Sequence, residues 1–181
     1  LHSFTQLIQL AEQFDVLHTA PPLVEPQDVP PNLRHLEMTR VMLTDSRKPP
    51  GVYARGRAQV ADCFELIQTF RGVTAEEFAA QPYCYTVINT NSPRQIDVPM
   101  AEGLIDFARA GQLSIITPFT LMGAMAPVTV AGALTLSHAE ALAALTLAQI
   151  ARPGAPLLYG TFTFIVHMKS GSPAFGTPEH F

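Results

Sequence analysis

The 181 residues are 48% hydrophobic and only 14% charged, with a formal net charge of −4 and a sequence pI near 5.8. A chain of this length can bury one sizeable core. Its eleven Lys and Arg are scattered without a run, which excludes an electrostatic footprint for nucleic acid or an acidic membrane surface.

In chain order, the opening HSFTQLIQLAEQF places amide and acidic residues at helical spacing, with neither the basic end nor the apolar centre of a signal peptide. A cytoplasmic location is expected. Cys63 and Cys84 stand far apart without CxxC or Cys/His spacing, so the expectation is two buried thiols rather than a disulfide framework or a zinc site.

One unit then recurs: a short β-branched or aromatic run ends in Pro, Gly, Asn or Thr and is followed by apolar residues at three- and four-residue spacing. Strands are predicted at residues 15–19, 51–54, 84–89, 113–117 and 157–161, and helices near 32–43, 57–70, 98–109 and 130–151. In DVPMAEGLIDFARAG, Asp97 can cap a helix, Pro99 suits its first turn and Gly111 the left-handed position after its end. In RAQVADCFELIQTFRG, Val60, Phe64, Ile67 and Phe70 form an apolar stripe.

Residues 116–136, ITPFTLMGAMAPVTVAGALTL, carry no formal charge and have the length of a bilayer span. Their threonines, the breakers Pro118, Gly123, Pro127 and Gly132, and the continuation into Ser137, His138 and Glu140 read instead as a buried strand, a turn and a buried helix. No membrane is expected as a partner. The helix from Val130 is apolar nearly all round, as suits burial against the sheet and a neighbouring helix or subunit, and a homo-oligomer is expected.

Strand and helix alternating in this way indicate parallel βαβ architecture. Five strands with four helices fit an open doubly wound sheet or part of a (β/α)8 barrel, which takes about 250 residues when complete. A chain that starts without Met and stops at TPEHF reads as an internal piece of a longer protein.

SPRQIDVPMAEGLIDFARAGQ, PFTLMGAMAPVTVAGALTLSHAEALA and RPGAPLLYGTFTFIVHMKSGSPAFGTPE resemble the central region of the trimethylamine methyltransferase family, the corrinoid-dependent methyltransferases for trimethylamine, glycine betaine and other quaternary amines. The likeness is densest from Ser92 to Glu179. It implies α/β architecture of the TIM (β/α)8 barrel type, present as a single partial barrel of about five parallel strands. It implies an enzyme that moves a methyl group from a small methylated amine to the Co(I) corrinoid of a partner corrinoid protein. The founding members use pyrrolysine, and no position among these residues matches it. The alternative is a non-catalytic osmolyte-binding or assembly module on the same fold.

Barrel sites lie at the carboxyl ends of strands. That rule selects Asn89, Thr90, Asn91 and Ser92; Thr117, Phe119, Thr120 and Met122; and Tyr159, Gly160, Thr161 and Phe162. A quaternary ammonium has no N–H, so aromatic faces must recognise it. Phe119, Tyr159 and Phe162 are the candidate cage, and Asn89, Asn91 and Thr117 the candidate hydrogen-bonding groups for a substrate carboxylate. LMGAMAP and SGSPAFGTPE, with Met122, Gly123, Gly171 and Gly176, are the candidate surface for a corrin face. Each group has a plainer role: strand-end aromatics plug cores, NTNSP is a natural turn, and glycines turn chains.

Elsewhere, His18, His138 and His167 are not spaced as metal ligands, and no metal site is expected. Glu102 and Glu140, on apolar helices, could serve as counter-ions or proton acceptors; an exposed face or pairing with arginine is the plainer expectation. No catalytic residue can be assigned from these patterns.

Overall fold

The computed structural model describes residues 1–177, so Pro178 and Glu179, the last two residues of SGSPAFGTPE, lie outside the described residues. Six helices, α1 His2–Glu12, α2 Arg34–Asp45, α3 Arg57–Arg71, α4 Ala75–Ala80, α5 Val98–Arg109 and α6 Val130–Ala151, intersperse with strands. The strands are β1 Tyr85–Ile88, β2 Leu113–Ile116, β3 Phe119–Met122, β4 Leu157–Tyr159, β5 Phe162–His167 and β6 Ser172–Pro173.

Local chemistry sets the helix ends. Asp97 accepts a hydrogen bond from the Met100 N–H at the start of α5, and Thr129 accepts from the Gly132 N–H at the start of α6. The helix α4 was not expected, yet Thr74 and Glu77 form a full capping box around its first turn. After α5, Gly111 has φ +70°, and a Cβ there would stand 2.4 Å from the Ala79 carbonyl oxygen. Only glycine fits this turn.

β1, β2 and β4 form one parallel sheet, and β3 and β5 a second, with β6 antiparallel at its edge. The two continue one register. Val87 pairs with Ile115 and, past a break at Pro118, Asn91 bridges to Phe119 in the same alignment; Ile116 pairs with Tyr159 and Phe119 with Phe162. The expected strands at 113–117 and 157–161 are therefore adjacent and parallel, joined through α6. Phe119, Thr120, Met122 and Phe162, expected in loops after strands, lie within strands that resume beyond Pro118 and Gly160. The expected strand at 15–19 does not form, and residues 51–54 meet β1 only at an isolated parallel bridge, Gly51 to Tyr85, with Pro50 bridged in turn to Ala20. Strand order thus follows chain order across the sheet.

Helices pack on one face. Cys84 lies in a cluster with Val60, Cys63, Phe64 and Ile67 of α3 and Phe107 of α5, while Ile88 and Ile116 meet Leu104 and Ala108 of α5 and Ala141, Ala144 and Ala148 of α6. Both cysteines are buried and free, and burial pushes the Cys63 thiol up to about 11 and the Cys84 thiol well above its ordinary range. By length and composition α6 could cross a membrane, but its alanine-rich side lies on the sheet, with Glu140 buried at mid-helix. The opposite sheet face carries Val87, Leu158 and Phe162, each at least 40% exposed.

Candidate functional site at the carboxyl ends of the strands

The open sheet face gathers Asn91, Phe119 and Phe162 side by side, because paired residues in parallel strands project to the same side. The Phe119 and Phe162 rings stack with centroids 5.2 Å apart at 21°, and the Phe164 ring stands edge-on to both, at 6.3 and 4.7 Å. Phe175 extends the cluster against Phe164 at 4.7 Å. Phe164 and Phe175 were missed from sequence; the FTF alternation at 162–164, which puts both rings on one face, was the available signal for Phe164.

Tyr159 does not join this cage. It is paired with buried Ile116 and faces the helices, where its hydroxyl lies 3.2 Å from Nδ1 of His138 on α6. Thr161, two residues on, likewise meets Ser137 of α6 at 3.3 Å. The strand's alternation separates Tyr159 from Phe162.

Asn89 and Thr117 are brought together, but largely for each other. Asn89 Nδ2 donates to the Thr117 carbonyl at 2.7 Å and to Thr117 Oγ1 at 2.8 Å, and a carbonyl that can only accept fixes the amide's orientation. The Asn89 amide nitrogen is thus hydrogen-bonded within the chain, to Thr117, in this structure. The donors left for a ligand are the exposed Asn91 amide and the Thr117 hydroxyl.

Glu140 contradicts the plainer expectation of exposure or pairing with arginine. It is 5% exposed and lies on the helix side of the sheet, away from the rings. Its Oε2 accepts from Thr90 Oγ1 at 2.5 Å and Ser92 Oγ at 2.8 Å, and its Oε1 accepts from the Arg94 N–H at 2.5 Å. Ser92 Oγ also lies 3.1 Å from Thr120 Oγ1. Glu102, by contrast, pairs with Arg57 at 3.3 Å on the surface, as expected.

The residues expected to face a corrin ring divide. Met122 is 1% exposed and belongs to the core, so it cannot present to a partner. Gly123, Gly171 and Gly176 have φ of +84°, +70° and +78°, which accounts for glycine there by backbone alone; a Cβ at Gly171 or Gly176 would meet nothing within 4 Å, so neither forms a cradle. Exposed near Gly123 and the ring cluster are Val128, Met168 and Phe175, with Lys169 exposed beside Met168. Replacing Gly123 by valine should cost roughly 1–3 kcal/mol, because a β-branched residue is strained at positive φ and its Cβ would press on Met168 Sδ at 3.2 Å. Denaturant unfolding measures this, and an unchanged midpoint would contradict the strain. Among the described residues, no cluster of His, Cys, Asp or Glu could hold a metal ion.

A family profile described as Trimethylamine methyltransferase (MTTB) matches residues 1–181. The chain is 34% identical over 157 residues to a glycine betaine methyltransferase of Desulfitobacterium hafniense (strain Y51), covering 87% of this chain and 33% of that protein. It is 29% identical over 156 residues to a trimethylamine methyltransferase MttB of Desulfitobacterium hafniense (strain DSM 10664 / DCB-2), covering 86% and 31%. A trimethylamine methyltransferase MttB1 of Methanosarcina mazei is 31% identical over 115 residues, covering 64% and 23%. The chain thus spans a third or less of the length of these relatives.

Proposed function

Because this chain belongs to the trimethylamine methyltransferase family, we propose that it is part of a (β/α)8 barrel enzyme that takes a methyl group from a quaternary or tertiary methylated amine and delivers it to a corrinoid protein. Three features support the barrel: parallel strands in chain order, helices packed on one face, and an apolar opposite face still open. A single barrel domain, a cytoplasmic location and self-association belong to the same reading.

The observation that carries the amine reading is the stacked Phe119 and Phe162 pair beside the neutral donors of Asn91 and Thr117. Aromatic faces attract a methylammonium group through the ring quadrupole without requiring an N–H. Neutral amide and hydroxyl donors can hold a carboxylate on the same substrate, as glycine betaine carries. The rings exclude water and fix the orientation of one methyl carbon. A quaternary nitrogen leaves as a neutral amine, keeping the electron pair of the broken C–N bond, so this step needs orientation rather than proton transfer; a tertiary amine leaves in the same way only as its N-protonated cation.

The partner's reduced corrinoid supplies the cobalt nucleophile that accepts the methyl group. Val128, Met168 and Phe175 are the residues of this chain that would meet its ring.

The test uses the full-length protein with Co(I) cobalamin and glycine betaine or trimethylamine, following methylation by the visible spectrum. Methylation that depends on protein and amine is expected; amine binding without methylation would favour a non-catalytic binding module. Within this site, Phe119→Leu keeps most of the apolar volume and removes the π face, so affinity for a quaternary amine should fall by about 0.5–2 kcal/mol. Calorimetry on folded variants reads this, with Phe162→Leu, at the more exposed ring, expected to lose at least as much.

A further inference from the structure

We propose that Glu140 is a positioning residue for Asn91, acting from the far side of the sheet; this rests on the amine-site reading above. Thr90 and Ser92 flank Asn91, and both hydroxyls donate to the same oxygen of Glu140. Asn91 lies between them on the opposite face, because successive residues of an extended segment alternate sides. Its backbone is closed onto Gln95 by two hydrogen bonds, 2.6 Å for Asn91 N–H to Gln95 O and 3.2 Å for the return. Glu140 Oε1 holds this small loop at its tip through the Arg94 N–H, where φ is +57°. The Asn91 side chain makes no hydrogen bond of its own among the described residues, so its direction comes from this backbone.

A carboxylate buried in an otherwise apolar helix is costly unless fully hydrogen-bonded, and here every bond it makes is to the Asn91 loop. The loop is thereby tied to α6, which also packs beside β3 where Phe119 sits. Glu140 thus fixes the distance between the amide that would hold a substrate carboxylate and the rings that would hold its ammonium group. A counter-ion or proton acceptor would have to face the rings, and Glu140 does not.

The experiment measures binding of glycine betaine and of tetramethylammonium, which lacks a carboxylate, to full-length protein carrying Glu140→Leu or Glu140→Gln. Glu140→Leu should weaken glycine betaine at least tenfold and tetramethylammonium less than twofold. Glu140→Gln should restore most of the loss, because its amide oxygen can take the Arg94 N–H while its NH2 donates to the two hydroxyls. Equal loss for both ligands, or a glutamine variant as weak as the leucine one, overturns the positioning role, and the latter result would assign Glu140 a role through its charge. If Glu140→Leu does not fold, Ser92→Ala removes one of the same bonds and should give a smaller loss with the same ligand preference; no such preference overturns the proposal. Wild-type protein that binds neither ligand would overturn the amine-site reading itself, and this inference with it.

Discussion

Glu140→Ala is expected to lower the unfolding free energy by roughly 3–5 kcal/mol, among the largest effects of any single change in this chain. Its carboxylate takes three donors, from Thr90, Ser92 and the Arg94 backbone, in a site where Glu140 is 5% exposed. Alanine removes both acceptor oxygens at once. The Thr90 hydroxyl would be left buried without this partner, while Ser92 could turn to Thr120 and Arg94, which is exposed, could reach water. An unmade bond at a buried polar group costs about 1–3 kcal/mol. An open pocket of about 320 Å3, lined by Glu140 itself with Thr90, Ile96, Ala143 and Leu147, would widen where the side chain is lost. Glu140→Gln should cost less than half as much. Denaturant melts of the three proteins would decide the matter, and an alanine variant within about 1 kcal/mol of wild type would show that the carboxylate contributes little net stability.

Gln112→Leu should be comparably damaging although it exchanges side chains of similar size, with roughly 3–5 kcal/mol lost. Gln112 is fully buried. Its Oε1 accepts from the Tyr83 N–H at 2.7 Å and the Cys84 N–H at 3.3 Å, while Nε2 donates to the carbonyls of Phe78 at 2.6 Å and Ala110 at 3.0 Å. One amide thus ties the end of α4, the approach to β1 and the end of α5 together. Leucine would fill the space and leave backbone donors and acceptors without partners. Hydrogen exchange offers a local check: the Tyr83 and Cys84 amides should lose protection ahead of the amides of β1. If their protection is unchanged, other groups hold this junction.

What could be read from the sequence is what is decided within a turn or two of the chain. α5 and α6 begin and end at the expected residues, because Asp97, Pro99 and Gly111 act on their immediate backbone and the long apolar pattern from Val130 meets no breaker between Gly132, in its first turn, and Pro153. The pairing of residues 113–117 with 157–161 followed from strand and helix alternation alone. The capping box at Thr74 and Glu77 was equally local and was overlooked.

Tertiary structure decided which face each side chain occupies and what it meets there. Tyr159 and Phe162 are three residues apart and looked equivalent as cage members, but pairing with Ile116 and Phe119 sends them to opposite sides of the sheet. Asn89 looked like a free donor, but its amide nitrogen is hydrogen-bonded to Thr117, 28 residues away. Glu140 met its partners across separations of 46 to 50 residues. A helical pattern specifies that such a residue lies on an apolar helix, but the burial of its charge depends on donors that only the folded sheet and loop bring within reach.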